Sequence, residues 1–156
     1  MSPTTSESGN DSSPVEDAEH LLRRFPNEPE LFDFTRQVPR FSIFLPSIRD
    51  AAGLSLNREG EEFTNAVAVL ASAPGEKVRA SGGVVAVLTE KVRRDGMTVN
   101  ASPDDTPGHV LISEINRVEY DRQLPDGTRP GKQTIKALAD KLARIAQIRI
   151  TPKPKA

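Results

Sequence analysis

The strongest periodic pattern in the sequence lies near its C-terminal end. Between residues 132 and 146, apolar residues recur three and four positions apart, which places them on one arc of about 120° of a helical wheel. They are Ile135, Leu138, Ala139, Leu142, Ile145 and Ala146. Charged residues fill the opposite half of the wheel, so the pattern predicts an amphipathic helix whose apolar face packs on a sheet.

Short apolar runs that end at Gly, Pro or polar residues predict the strands of that sheet. They cover residues 40–45, 53–57, 84–88, 97–100, 109–113 and 147–150. Two more helices are predicted. Apolar residues recur at helical spacing over 59–73, and residues 89–96 begin with a Thr suited to an N-cap, have Arg in the last turn and end at Gly. We therefore expect an α+β fold, in which a small mixed sheet is packed by the C-terminal amphipathic helix and strand 109–113 lies beneath that helix.

The two ends of the chain differ from its middle in composition. Residues 1–13 are mostly Ser, Thr, Gly, Asn and acids, and they cannot bury enough apolar surface to offset the entropy of ordering. They predict a disordered N-terminal arm. Residues 151–156 alternate Pro with Lys and predict an extended basic tail, so we expect a single α+β domain over 14–150.

Residues 14–24 carry the signals of a first helix. Ser13 is a suitable N-cap, and Pro14 suits the first helical position. Acidic residues follow in the first turns, and Arg23 and Arg24 fall in the last turn, as the helix dipole favours. The sequence therefore predicts a helix over 14–24.

Composition removes several classes of chemistry. The 156 residues include no Cys and two His, which excludes disulfides, thiolate nucleophiles and Cys-ligated metal centres. Neither the dinucleotide-binding nor the P-loop glycine motif is present. We expect no metal and no cofactor. Since a secretory signal is lacking and no apolar run approaches the roughly 20 residues of a membrane span, we expect a cytoplasmic protein without membrane association.

His109 is the residue with the clearest catalytic potential. It follows a Pro-Gly turn, opens a predicted strand and has Asp105 a few residues upstream. A carboxylate beside an imidazole orients a general base, and Ser47 and Ser55 offer hydroxyl nucleophiles. With Arg40, these residues support one alternative: a small transferase or hydrolase with His109 at the floor of a concave pocket. The simpler interpretation is a strand-opening His that hydrogen-bonds the preceding loop.

Basic residues on the polar face of the C-terminal helix support a second alternative. Lys132, Lys136, Lys141 and Arg144 could contact the phosphates of a nucleic acid. The formal net charge is −1, Asp140 interrupts the face, and no aromatic residue is interleaved for base stacking. These features favour a solvated helix face over a nucleic-acid interface.

Four short motifs resemble those of small bacterial proteins that have no assigned activity. The motifs are Gly53–Leu56, Arg94–Val99, Asp104–Val110 and Lys136–Ala143. The resemblance spans roughly residues 40–150. It implies a bacterial origin and carries over no catalytic residue.

The lack of a catalytic motif predicts a non-catalytic interaction or regulatory protein of a bacterial cell. We expect its partner to be another protein, engaged through the basic C-terminal face or through an end of the chain that orders on binding. A nucleic-acid-binding accessory protein and the enzyme centred on His109 are the alternatives. The regulatory hypothesis differs from the enzyme hypothesis in expecting no pocket at His109.

Overall fold

A computed structural model describes residues 13–60, 65–102 and 108–154 of the protein. The strands are β1 His20–Phe25, β2 Phe32–Asp33, β3 Val38–Pro39, β4 Leu54–Arg58, β5 Gly83–Leu88, β6 Asn100–Ala101, β7 His109–Ile112 and β8 Gln147–Ile150. The helices are α1 Ala66–Ala71, α2 Glu76–Ser81, α3 Thr89–Arg94, α4 Arg117–Asp121 and α5 Pro130–Ile145, and Phe41–Phe44 form a 3₁₀ turn. Residues 1–12 of the predicted arm lie outside the described residues.

Six of these strands form one sheet in the order β6-β7-β4-β1-β5-β8, and each neighbouring pair is antiparallel. Strands β2 and β3 form a separate two-stranded hairpin. The α+β fold class is confirmed. None of the helices in the described ranges combines the length and apolarity that crossing a bilayer requires.

The centre of the sheet is β1, where the sequence predicted a helix over 14–24. That prediction is wrong. Leu21 and Phe25 are buried on one face of the sheet, and Leu22 is buried on the other, which is the alternation of a strand. Strand β5 pairs with β1 along its whole length, and β4 pairs with Leu21 and Leu22 on the other edge, so hydrogen bonds to neighbouring strands hold this segment extended. This non-local pairing outweighs the local N-cap and charge signals.

The inner face of the sheet carries the main core, and α5 packs against it. Ile135, Ala139 and Leu142 of the predicted apolar face are buried there. The most extensive neighbour of α5 is the 3₁₀ turn Phe41–Phe44 and not β7. The strand predicted over 40–45 is therefore wrong: the chain coils tightly there, which buries Phe44 under α5.

The outer face of the sheet is divided into two halves. Helix α1 covers the half formed by β1 and β5, where Val69 packs on Leu22, Val84 and Ala86. Helix α1 is shorter than the predicted 59–73, of which residues 61–64 lie outside the described residues, and it is followed by α2, where no helix was predicted. The other half, formed by β4 and β7, presents polar side chains on the same outer face.

Residues 151–154 contact the body of the protein, in contrast to the predicted basic tail. Pro152 is buried, and the backbone N–H of Lys153 donates to the Ser81 carbonyl at 2.9 Å. The amide of Asn27 donates to the Lys153 carbonyl, also at 2.9 Å. The chain after β8 thus closes over the end of the sheet beside Gly83, whose Cα lies too near Pro152 to accept a Cβ.

A bidentate ion pair links the end of β4 to the edge strand β8. Arg149 Nε lies 2.9 Å and Arg149 Nη2 lies 3.0 Å from the carboxylate oxygens of Glu59. The hydrogen bonds from Arg149 hold the pKa of Glu59 below its ordinary value of 4.5, and the same bonds raise the pKa of Arg149. The ionised form of Glu59 therefore stabilises the folded state.

We expect the Arg149→Gln variant to be less stable than the wild type by about 1 kcal/mol near neutral pH, because the pair is partly exposed. A carboxyl whose folded pKa is lowered stabilises the fold above its unfolded pKa and loses that effect as pH falls through the folded value. Urea unfolding at about pH 6.5 and about pH 3 should therefore show the difference shrinking in acid. Arg94→Gln, which removes an exposed pair with Glu90, is the control. A deficit in Arg149→Gln that is equal at both pH values would contradict this account.

Candidate functional site

A cavity of about 500 Å³ opens on the half of the outer face formed by β4 and β7. Its floor consists of Ser55 and Asn57 of β4 and His109 of β7. All three are half-buried. They share this face because alternate residues of a strand point the same way, while Leu54, Leu56 and Val110 point into the core.

A hydrogen bond joins Ser55 Oγ to His109 Nε2 across the floor of the cavity. The strand register accounts for it. His109 lies opposite Asn57, and Ser55 lies opposite Leu111, so Ser55 and His109 are diagonal neighbours on one face. A long side chain reaches a diagonal partner in an antiparallel pair, and the imidazole does so here. The sheet therefore brings a hydroxyl and an imidazole together.

Two arginines give the cavity its positive charge. Arg24 Nη1 donates to Ser72 Oγ at 3.0 Å and to the Val69 carbonyl at 3.3 Å. Arg49 lines the same cavity from the loop before β4. Within the described ranges, neither guanidinium lies within salt-bridge distance of a carboxylate. Burial and the nearby charge of Arg49 lower the pKa of Arg24.

A third arginine, Arg23, fixes the inner wall of the cavity. Its guanidinium donates to three backbone carbonyls: Ile43 at 2.7 Å, Ser55 at 2.9 Å and Leu45 at 3.4 Å. It also lies 3.6 Å from the carboxylate of Asp50, which is 2% exposed. Burial lowers the pKa of Arg23, and the charge of Asp50 opposes that shift. Arg23 thus ties the 3₁₀ turn to β4 at the carbonyl of Ser55.

The loop that carries Arg49 is closed by Asp50. The Asp50 carboxylate accepts the backbone N–H of Ser47 at 2.7 Å, and the backbone N–H of Asp50 donates to the Ser47 carbonyl at 3.0 Å. The Ser47 hydroxyl in turn accepts the backbone N–H of Arg49 at 3.2 Å. These bonds position the loop, and Ser47, at the edge of the cavity.

The structure brings some residues of the enzyme hypothesis together and places others apart. His109, Ser47 and Ser55 line one cavity, as that hypothesis expected of His109. Asp105 lies outside the described residues. Arg40 is placed elsewhere: it donates to the Pro29 carbonyl at 2.8 Å and lines a separate cavity of about 420 Å³. The structure therefore does not bring Arg40 to His109.

The basic residues of α5 do not form one continuous positive surface. Arg144 forms an ion pair with Asp140 at 2.9 Å, and Lys132 Nζ lies 5.9 Å from the centre of the Tyr120 ring. Lys136 is half-buried and Lys141 is exposed. Since the carboxylate of Asp140 lies among these cations, the positive field over this helix face is weakened.

Sequence reasoning missed Arg24 and Arg49 as site residues. Arg24 was assigned to the last turn of a helix, and Arg49 stood in a loop without a motif. The sequence of β1, His-Leu-Leu-Arg-Arg-Phe, does not alternate apolar and polar residues, so it carries no strand signal that could have placed Arg24 on the sheet. Comparison of the chain with protein-family models, with curated proteins and with solved structures finds no match, so the resemblance to small bacterial proteins stays an expectation.

Proposed function

We propose that this protein binds a small phosphate-bearing molecule in the cavity over β4 and β7. One observation carries the proposal: Arg24 and Arg49 line one cavity, and no described carboxylate neutralises them. Two guanidinium groups repel each other unless an anion lies between them, and the planar guanidinium matches the geometry of phosphate.

Charge and size both support a phosphate ligand. The cavity is lined by three arginines and by Asp50, whose charge is matched by Arg23. Two positive charges remain, which corresponds to a phosphate monoester of roughly −1.5 to −2 at neutral pH. The volume of about 500 Å³ falls within the usual range of ligand pockets. The hydroxyl of Ser72 and the amide of Asn57 add neutral polar groups to the lining.

The regulatory hypothesis expected no pocket at His109, and the cavity there departs from that expectation. A regulatory role would instead require that a molecule bound in the cavity control contact with another protein. That protein partner, like the cytoplasmic location, stays a prediction. A nucleic-acid partner is less favoured, because Asp140 compensates Arg144 on the helix face that would bind it.

Isothermal titration calorimetry with phenyl phosphate at fixed ionic strength tests the proposal. We expect saturable binding, and we expect Arg24→Gln and Arg49→Gln each to weaken it about tenfold to a hundredfold, the value of a charge-assisted hydrogen bond. Arg49→Gln is the cleaner variant because the Arg49 side chain is exposed and makes no hydrogen bond to any residue that the structure describes. Arg94→Gln, which changes an arginine outside the cavity, should bind as the wild type does.

Phenylacetate, titrated in parallel, tests a carboxylate in place of the phosphate. Tighter binding of phenylacetate that still depends on Arg24 and Arg49 would reassign the ligand to carboxylates. The absence of saturable binding by either probe, or an equal loss in Arg94→Gln, would refute an anion site in this cavity.

A further inference from the structure

We infer that Ser55 and His109 form a nucleophile and general-base pair that hydrolyses an ester of the anionic molecule bound by Arg24 and Arg49. The inference rests on the proposed function for its substrate class, namely a carboxylic ester that also carries a phosphate or phosphonate group. It assigns chemistry to a pair of cavity side chains that anion binding leaves unexplained.

The hydrogen bond between Ser55 Oγ and His109 Nε2 joins the two atoms between which a proton must pass. A serine hydroxyl is a weak nucleophile, and it is activated when an adjacent base removes its proton. A half-buried serine on a strand needs no such partner for stability. The pair also faces a cavity large enough for a substrate, which is unnecessary for a merely structural contact.

Both members of the pair are fixed by the sheet. Ser55 is paired in the ladder between β4 and β7, and its carbonyl accepts the Nη1 hydrogen bond of Arg23 at 2.9 Å. His109 is set on the neighbouring strand by its register with Asn57. Groups on strands keep their relative positions better than groups on loops, as a reacting pair requires.

The first step forms an acyl-enzyme. Ser55 Oγ attacks the ester carbonyl carbon, the Oγ–H bond breaks, and the proton moves to His109 Nε2. The carbonyl electrons pass to oxygen, and the Asn57 amide, opposite His109, is a donor on the same floor for that oxyanion. When the intermediate collapses, the ester C–O bond breaks and His109 returns the proton to the departing alcohol.

The second step releases the acid. A water molecule attacks the acyl carbon and transfers a proton to His109 Nε2, and that proton then passes to Ser55 Oγ as the acyl bond breaks. Ester and water become acid and alcohol, with no oxidation or reduction. Arg24 and Arg49 anchor the phosphate group away from the reacting carbonyl, so that the ester is presented to Ser55.

Hydrolysis of 4-nitrophenyl 3-phosphonopropionate tests this inference, with release of nitrophenolate as the readout. We expect Ser55→Ala and His109→Gln each to lower the rate about a hundredfold or more, the usual contribution of acid–base catalysis. The matched controls are Ser113→Ala and His20→Gln, which replace a serine and a histidine outside the cavity and should leave the rate unchanged.

A second readout identifies the nucleophile directly and separates this inference from the binding proposal. Mass spectrometry after treatment with a fluorophosphonate should find the label on Ser55, and the label should be lost in His109→Gln. If the wild type binds phenyl phosphate through Arg24 and Arg49 but neither turns over the ester nor labels Ser55, the catalytic inference is refuted and the binding proposal stands. If Ser55 is labelled while anion binding fails, the pair is catalytic and the substrate class is wrong. Equal rates in Ser55→Ala and Ser113→Ala refute the pair.

Discussion

Replacement of Arg23 by Met is expected to lower the free energy of unfolding by about 3–5 kcal/mol, the cost of removing one partner from a buried ion pair. The side chain of Arg23 is 16% exposed, and its guanidinium donates to the carbonyls of Ile43, Ser55 and Leu45. Its loss removes this donor from the three carbonyl oxygens and removes the cation that lies 3.6 Å from the carboxylate of Asp50, which is 2% exposed. Met fills a similar volume, so the loss is mainly electrostatic.

Urea denaturation of Arg23→Met, Arg23→Lys and the double variant Arg23→Met/Asp50→Asn measures this effect. Lys restores a charge near Asp50 but lacks the fork that reaches three carbonyls, so we expect only partial recovery. The Asp50→Asn change removes the uncompensated charge and keeps an oxygen for the backbone N–H of Ser47, so the double variant should be more stable than Arg23→Met alone. An Arg23→Met protein within about 1 kcal/mol of the wild type would show that this network contributes little.

Replacement of Gly131 by Ala is expected to destabilise the protein by about 2 kcal/mol, although Ala favours helices over Gly by about 1 kcal/mol. Gly131 lies in the first turn of α5, against α4. An added Cβ would lie 2.2 Å from the Glu119 carbonyl oxygen and 2.9 Å from its carbonyl carbon. Since both atoms belong to the backbone of α4, that helix would have to move.

Helix propensity favours Ala at position 131, whereas the contact with α4 disfavours it, so the sign of the stability change shows which effect is larger. Thermal and urea unfolding of Gly131→Ala should show a loss of stability. Ala137→Gly, at an exposed position of the same helix, gives the size of the helix-propensity effect alone and should cost about 1 kcal/mol. A Gly131→Ala protein more stable than the wild type would mean that α4 and α5 can separate freely.

Elements whose burial follows from their own periodicity were predictable from the sequence. Strands at 53–57, 84–88, 109–113 and 147–150 and helix α5 agree with the structure within a residue or two. The prediction for the segment that forms β1 failed because a local helix signal and a non-local strand pairing competed. Its cap and charge pattern is helical, whereas the ladder that makes it a strand comes from residues far along the chain.

Only part of the candidate site could be predicted from the sequence, because the rest depends on strand pairings between distant residues. His109 and Ser55 stood out by residue type, but their contact depends on the register between β4 and β7, and a shift of one residue would turn either side chain into the core. Arg24 reaches the cavity because β1 is a strand, so the error about that segment concealed the positive charge.

The central place of β1 determines how the chain must fold. The segment leaves the ribosome before either of its partners, so Leu21, Leu22 and Phe25 remain without a ladder until β4 and then β5 have been synthesised. Each pairing closes a long loop and loses chain entropy before burial compensates. The strand that lies at the centre of the finished sheet is therefore an unpaired apolar segment for much of synthesis, a state that favours aggregation.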